Sequence, residues 1–379
     1  MSVELFPEAS GEQRMLADSA TRVLEAAYPL TAVRERAEGA GPPDGKLWRA
    51  LGGLGCFGLL ASEEHGGGSL SGNGIADAAI LAAERGARLA PGPFVATLVV
   101  AGTLSRSGAV PPARGAPGHD GVLRALLSGD TAAAWASDAP PGSPPGPGLA
   151  VRDSGGEAVL SGVIHGVQDA ADCGWILVST DGSQFLLPST AAGLTLRKAD
   201  GLDLTRKFYT LTLEEVRVPA GATVAPASSG PALADWQLAV VAVLSAAESV
   251  GAMDANFKLA LDYSKTRIAF GRPIGSFQGL KHLLARTSLA LEMAKAIVAG
   301  AAEALGGGAP DGPALASAAR AFVSENAVEL THNCFQVFGG IGFTWEHDQH
   351  LYMRRLASEA YLFGSPSWHR RRIWEAAHA

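Results

Sequence analysis

The chain of 379 residues contains few charged side chains and few cysteines. Asp, Glu, Lys and Arg make up 18% of it, against about 25% in a typical soluble domain, and no long basic run suggests a nucleic-acid partner. The three cysteines, Cys56, Cys173 and Cys334, lie far apart and lack CxxC spacing, so we expect buried thiols rather than disulfides or a zinc site. The nine histidines show no metal-ligand spacing either, and we predict no metal site.

Long apolar runs and a secretory signal are also missing. No stretch reaches about 18 uninterrupted apolar residues, the minimum for a membrane-spanning helix, and residues 1–8 lack the basic and apolar regions of a signal peptide. The net charge is −7. Together these features predict a cytoplasmic globular protein that binds neither nucleic acid nor membrane.

Glycine and proline are abundant instead, with 47 and 22 residues. Helical spacing of apolar residues predicts an N-terminal all-α domain over residues 1–120. Short β-rich runs separated by Gly, Asp and Ser predict a middle β domain over 121–228, built as a small antiparallel sheet or barrel. Long Ala-, Leu- and Val-rich segments joined by short loops predict a C-terminal α-helical bundle over 229–379. Residues 111–118 have the composition of a linker, and residues 139–148 contain too much proline for a helix or central strand.

The apolar patterns also place individual elements. We predict helices over residues 12–27, 75–87, 95–104, 233–267, 277–305, 313–335 and 345–361, and a short last helix over residues 368–379. We predict strands over residues 158–164, 175–179, 184–188, 208–213 and 216–219.

The segment RIAFGRPIGSFQGLKH at residues 267–282 combines features of an anion site. A predicted helix ends at Arg267, a Gly/Pro turn follows, and a new helix begins near Gln278. Arg offers a planar fork suited to phosphate, and a helix N-terminus offers free N–H groups. The alternative is an ordinary bundle turn in which Arg267 stabilises the C-terminal end of its helix.

The segment QVFGGIGFT at residues 336–344 has glycine at positions 339, 340 and 342 after a predicted helix. It matches neither the GxGxxG fingerprint nor a phosphate-binding P-loop. Glycines allow a ligand to approach the backbone closely, but a simple helix C-cap and turn would have the same composition.

Together, the two segments resemble the acyl-CoA dehydrogenase motifs RxxFGxPIGxFQxxKH and QVxGGxGFTxExxxxxxxRR, in residues and in order. Residues 58–67, GLLASEEHGG, are similar to the family's GLxxPEExGG, with Ser62 in place of the proline. The resemblance extends over nearly the whole chain. It implies an α+β multidomain fold with an N-terminal helical domain, a middle antiparallel β-barrel and a C-terminal four-helix bundle.

The resemblance implies FAD as the cofactor, bound between the middle domain and the bundle and reaching a neighbouring subunit. Arg267 and Gln278 match positions at the FAD pyrophosphate and adenosine, and Phe270 matches a packing contact. Gln336, together with Gly339 and Gly340, matches the segment that holds the cofactor from the partner subunit in a homo- or hetero-oligomer.

The implied reaction is α,β-dehydrogenation of an acyl thioester such as acyl-CoA. A carboxylate removes the α-proton, and the β-hydrogen passes to flavin N5 as hydride. An electron-transfer flavoprotein or a similar acceptor would then receive the electrons.

The position of the family's usual base carries no carboxylate in this sequence. The family's Tyr-Glu-Gly-Thr segment falls on residues 362–365, where Phe363 replaces the glutamate and is unable to accept a proton. A second position that some members use falls near Val241, which is also apolar. Glu248 stands on the same predicted helix face in apolar surroundings, and we predict it as the catalytic base. The alternative is a structural carboxylate, paired with another element or facing solvent.

The middle domain also departs from the family pattern. Residues 135–142, WASDAPPG, match poorly the stretch that covers the flavin in the family, so flavin-ring contacts are not assigned to named residues. Two other functions therefore stay open: a non-catalytic or half-site partner subunit of a heteromeric dehydrogenase, and a flavoenzyme of the same fold with a non-thioester substrate.

Overall fold

The computed structural model describes residues 3–39, 45–107, 118–137, 148–154, 157–180, 182–226 and 228–378. The predicted linker that begins at Pro111 and the proline-rich stretch that begins at Ala139 lie almost entirely outside these ranges. The described residues form a helical N-terminal part, a β-rich middle and a helical C-terminal part, which confirms the mixed α+β class.

The described residues of the N-terminal part form six α-helices: α1 Gly11–Ala27, α2 Leu30–Ala37, α3 Gly45–Gly53, α4 Gly74–Ala87, α5 Phe94–Ser107 and α6 His119–Leu127. Ser10 begins α1 with a capping box, in which its hydroxyl accepts from the Gln13 amide and the Gln13 side chain accepts from the Ser10 amide. Sequence periodicity did not predict α2 or α6. The short, polar α2 has a weak apolar stripe, and α6 packs against α5 across the boundary expected at residue 120.

Eight strands are present where the structure describes the middle part: β1 Ala133–Ser137, β2 Ala150–Asp153, β3 Ala158–Gln168, β4 Trp175–Ser179, β5 Gln184–Pro188, β6 Leu194–Ala199, β7 Phe208–Val218 and β8 Thr223–Ala225. They form two four-stranded sheets, in the orders β1-β4-β5-β8 and β2-β3-β7-β6. The described strands do not close into one barrel. The expectation of a wholly antiparallel arrangement is wrong for β1 and β4, which pair in parallel with Ala133 opposite Trp175. The chain passes through the other sheet between them, which provides the long crossover that a parallel pair needs.

The C-terminal part contains α7 Gly230–Thr266, the two-residue strands β9 Ile268–Ala269 and β10 Arg272–Pro273, and four further helices, α8 Gln278–Gly306, α9 Gly312–Phe338, α10 Gln349–Glu359 and α11 Pro366–His378. Helix α7 is long and apolar enough to span a membrane, but most of its side chains are buried against α4, α8 and α9. That burial is typical of a core helix.

Helices α4 and α7 cross with their backbones in contact. A Cβ added to Gly86 would lie 1.8 Å from the Glu248 carbonyl oxygen, and one added to Gly251 would lie 1.9 Å from the Ala83 carbonyl oxygen. Both carbonyls belong to the helix backbone and are unable to move aside. Only glycine therefore permits this close approach. The crossing brings Arg85 of α4 beside Glu248 of α7.

We predict that Gly86→Ala lowers the free energy of unfolding by at least about 2 kcal/mol, because the added methyl group overpacks a rigid contact. Gly300→Ala is the control: Gly300 also lies in a helix, and no atom of the described residues would approach its Cβ within 4 Å. The control should be neutral or more stable by about 0.5–1 kcal/mol. Urea denaturation of both variants checks this, and equal stabilities would contradict the close crossing.

Candidate active site and cofactor site

The turn between α7 and α8 brings Arg267, Phe270 and Gln278 together. Arg267 is the C-cap of α7, and its carbonyl accepts from the Ile274 amide at 2.9 Å, which closes the β9–β10 hairpin. Phe270 lies at the tip with φ +52° and is 95% exposed. An exposed aromatic ring in a left-handed conformation is costly without a partner surface, so this tip is typical of a ligand or subunit contact.

Helix α8 begins at Gln278, and no side chain among the described residues caps its first turn. Its first N–H groups therefore lack intrahelical acceptors. Phe277 is the N-cap residue of α8. The Arg272 guanidinium lies over the Phe277 ring, with its central carbon 4.1 Å from the ring centroid. Exposed guanidinium groups beside an uncapped helix N-terminus suit a phosphate.

The second glycine segment follows α9 at the same end of the bundle. The Phe338 ring lies 5.2 Å from the Tyr263 ring on α7, four residues before Arg267. Gln336 is exposed on the last turn of α9, and Gly339 has φ +64°. A Cβ at Gly339 or Gly340 would meet no described atom within 4 Å. The backbone here is open to a ligand from outside the chain.

Glu248 lies far from the turn between α7 and α8. It precedes Arg267 by 19 residues on one continuous helix, a distance of about 28 Å at 1.5 Å per residue. Its side chain is 4% exposed. Its Oε2 lies 2.5 Å from Arg206 Nη2, and its Oε1 lies 3.9 Å from Arg85 Nε. Both carboxylate oxygens therefore face guanidinium groups, from the middle part and from the N-terminal part.

Arg206 continues this ion-pair system into the bundle. Its second nitrogen, Nη1, pairs with Glu359 at the end of α10. A Glu359 oxygen also lies 3.7 Å from Arg320 Nη2 on α9. Burial lowers the pKa of Arg85 to about 10 and that of Arg320 to about 9, so both guanidinium groups stay charged near neutral pH. We call Arg85, Arg206, Arg320, Glu248 and Glu359 the ionic junction, because it joins all three parts of the chain.

Phe363 lies in the turn between α10 and α11, shortly after Glu359 of the ionic junction. It has φ +61°, and its ring is stacked near Trp135 of β1, with 6.0 Å between centroids and 15° between planes. The position that matches the family's base therefore presents an aromatic ring to the middle part.

Sequence reasoning missed Arg206, Arg320 and Glu359. A usable signal was present for Arg320, which is the lone charged residue between Asp311 and Glu325 in an Ala-rich helix. Charged residues in apolar helices are seldom left unpaired. The same signal did identify Glu248.

Two family models, both of one protein family, match most of the N-terminal and C-terminal parts of the chain. The acyl-CoA dehydrogenase N-terminal domain matches residues 10–110, and the acyl-CoA dehydrogenase C-terminal domain matches residues 228–378. The chain belongs to the acyl-CoA dehydrogenase family. Members of this family are FAD-dependent oxidoreductases.

Curated acyl-CoA dehydrogenases resemble this chain over nearly its full length. IpdE2 of Mycobacterium tuberculosis is 31% identical over 370 residues, which cover 96% of this chain and 98% of IpdE2. FadE34 of the same organism is 30% identical over 98% of this chain but only 48% of its own length. The chain therefore spans about half of FadE34.

Solved acyl-CoA dehydrogenase structures share the fold. Butyryl-CoA dehydrogenase from Megasphaera elsdenii has a TM-score of 0.86 at 21% identity, covering 98% of this chain and 99% of that chain. The ChsE4–ChsE5 complex from Mycobacterium tuberculosis has a TM-score of 0.84 at 22% identity, covering 99% of both chains.

The residues at the turn between α7 and α8 and after α9 have the chemistry to fit FAD. An exposed Arg267, the uncapped N–H groups that begin at Gln278 and the open backbone at Gly339 provide donors and space for a dinucleotide. When bound, FAD supplies the hydride acceptor of the family's reaction.

We predict that Glu248→Gln lowers the free energy of unfolding by about 3 kcal/mol, because it removes one charge from a buried ion-pair system and leaves Arg206 undercompensated. Glu292→Gln, an exposed carboxylate paired with Lys295 on α8, is the matched control and should change stability little. Guanidinium denaturation followed by circular dichroism measures both. Equal midpoints would show that the Glu248 pairs do not contribute to folding.

Proposed function

We propose that this chain is an FAD-binding acyl-CoA dehydrogenase that converts an acyl-CoA to the α,β-unsaturated thioester. The observation that carries the proposal is the exposed turn between α7 and α8, which contains Arg267 and Phe270 and leads into Gln278 at the start of α8. Arg267 would pair with the cofactor's pyrophosphate, the first amides of α8 would donate to it, and Phe270 would cover the adenosine.

The cofactor site is completed by a second subunit in this proposal. Gln336, Gly339 and Gly340 would contact the cofactor bound by a neighbouring chain. Exposed apolar side chains surround both motifs, namely Ile268, Phe270, Ile341, Phe343 and Trp345. Apolar surface of this extent favours an oligomer. An electron-transfer flavoprotein or a similar acceptor would reoxidise the assembly.

The base of the reaction is a separate proposal, and Glu248 stays the predicted residue. Its burial supports a role away from solvent, but its pairing with Arg206 and Arg85 favours the structural alternative, since both oxygens already face guanidinium groups. Phe363 provides no substitute, because its ring has no proton acceptor.

A heteromeric assembly is the second candidate function. Phe363 at the base position favours it, because a partner subunit would then supply the carboxylate. FadE34 is about twice as long as the stretch that matches this chain. This length supports an assembly in which this chain corresponds to one half and a different subunit corresponds to the other half. In this case the chain contributes cofactor contacts rather than the proton-accepting group.

Arg267→Met should weaken FAD binding about tenfold or more, because hydrogen bonds to charged groups contribute about 1.5–3 kcal/mol. Arg286→Met, which removes another exposed arginine on α8, is the control. Flavin absorbance per protein and titration of apoprotein with FAD measure the effect. An Arg267→Met variant with full flavin content would contradict the assigned pyrophosphate contact.

Acyl-CoA added without oxygen should bleach the flavin absorbance of the assembled protein. If the chain alone supports bleaching and Glu248→Gln abolishes it in a folded, FAD-loaded protein, Glu248 is the base. If bleaching requires a co-expressed homologue, the heteromeric function holds. Failure of a set of saturated acyl-CoAs to reduce the flavin in either form would contradict acyl-CoA dehydrogenation.

A further inference from the structure

The turn that carries Phe363 has an unfavourable backbone conformation that something else must stabilise. Phe363 is a non-glycine residue with φ +61°, and Gly364 follows with φ +121°. A Cβ at Gly364 would lie 2.7 Å from the Trp368 ring and 2.9 Å from His369 Nε2. The turn is therefore tightly packed on its α11 side. Left-handed conformations of bulky residues persist only where surrounding contacts determine them.

Arg320 of α9 provides such contacts through backbone acceptors. Its side chain is fully buried. Its Nη2 donates to the Leu362 carbonyl at 2.8 Å and to the Glu359 carbonyl. These carbonyls lie at the C-terminal end of α10 and in the residue before Phe363. A cationic side chain is favourable at the C-terminal end of a helix, and here it adds to the Leu362 amide, which also donates to the Glu359 carbonyl at 3.1 Å.

The charge of Arg320 faces one carboxylate of the ionic junction. The Glu359 carboxylate lies 3.7 Å from its Nη2, and Arg206 holds that carboxylate from the other side. His369 lies near Arg320, and its burial together with Arg320 and Arg372 lowers its pKa to about 3, so His369 is neutral near pH 7. Arg320 is thus the charged donor in contact with this turn.

We propose that Arg320 is a positioning residue, which fixes the Leu362–Gly364 turn by two backbone hydrogen bonds and so sets the placement of side chain 363 against Trp135. The placement matters for catalysis only if the proposed function holds, since position 363 matches the family's base. Lysine at position 320 keeps the charge but replaces the rigid guanidinium, whose Nη2 meets both carbonyls, by a shorter and more flexible ammonium side chain.

The first test measures the placement without any substrate. The near-ultraviolet circular dichroism of each protein, minus that of its Trp135→Phe counterpart, isolates the signal of Trp135 stacked near Phe363. We expect both Arg320→Lys and Phe363→Leu to reduce this signal by half or more. Arg354→Lys is the control, since Arg354 lies on α10 and donates to the Leu202 carbonyl rather than to the turn. A full Trp135 signal in Arg320→Lys would overturn the proposal.

The second test installs a proton acceptor at the turn. In the FAD-loaded assembly, Phe363→Glu should raise the rate of flavin reduction by acyl-CoA at least tenfold, and Phe363→Gln should not. Adding Arg320→Lys to Phe363→Glu should lower kcat at least tenfold while KM changes less than twofold. An unchanged kcat in that double variant would overturn the positioning role.

The two tests separate this inference from the proposed function. If acyl-CoA reduces the flavin of no variant, the dehydrogenase function fails, and the Trp135 signal alone decides the role of Arg320. If Arg320→Lys is too unstable to purify, Glu359→Gln, which leaves Arg320 in place but removes its counter-charge, should weaken the Trp135 signal in the same direction. An unaffected signal in Glu359→Gln would then count against the proposal.

Discussion

Arg206 forms the buried bridge on which the rest of the structure depends. One guanidinium nitrogen pairs with Glu248 on α7 and the other with Glu359 on α10, while Glu248 also faces Arg85 of α4. Arg206 therefore joins the middle part to two helices of the C-terminal part, and Glu248 extends the contact to the N-terminal part through Arg85. Buried ion pairs contribute little when intact, but loss of one partner leaves a costly uncompensated charge. The bridge thus fixes the relative placement of the three parts more than it adds net stability.

The bridge also determines what the candidate site is able to do. Arg206 pairs with Glu248, the carboxylate that the sequence predicts as the base. The same ion-pair system continues through Glu359 and Arg320 to the turn that contains Phe363. Arg267 lies about 28 Å further along α7 than Glu248, away from the bridge. In the proposed function, FAD would bind at that distant turn and proton removal would depend on the region near the bridge, so a change at the base position would leave the FAD contacts in place.

Much of the fold was predictable because the helices depend on the local spacing of apolar residues. The apolar period placed α1, α4, α7, α8 and α9 to within a few residues, whereas the ligand site at the Gly/Pro turn near Arg267 stays a prediction. The parallel β1–β4 pair was not predictable, since strand order depends on contacts between distant segments. The ionic junction was missed for the same reason: Arg206 and Glu359 are 153 residues apart in sequence, and a lone buried charge reveals that it has a partner but not which one. The stacking of Phe363 near Trp135 likewise joins two separate parts of the chain.

A double-mutant cycle between Arg206→Met and Glu248→Gln, measured as free energies of unfolding, tests the central claim most directly. If the bridge holds the three parts together, the two changes will be strongly non-additive, with an interaction energy of about 1–3 kcal/mol. Additive effects, within about 0.5 kcal/mol, would show that Arg206 and Glu248 act independently and would contradict the account.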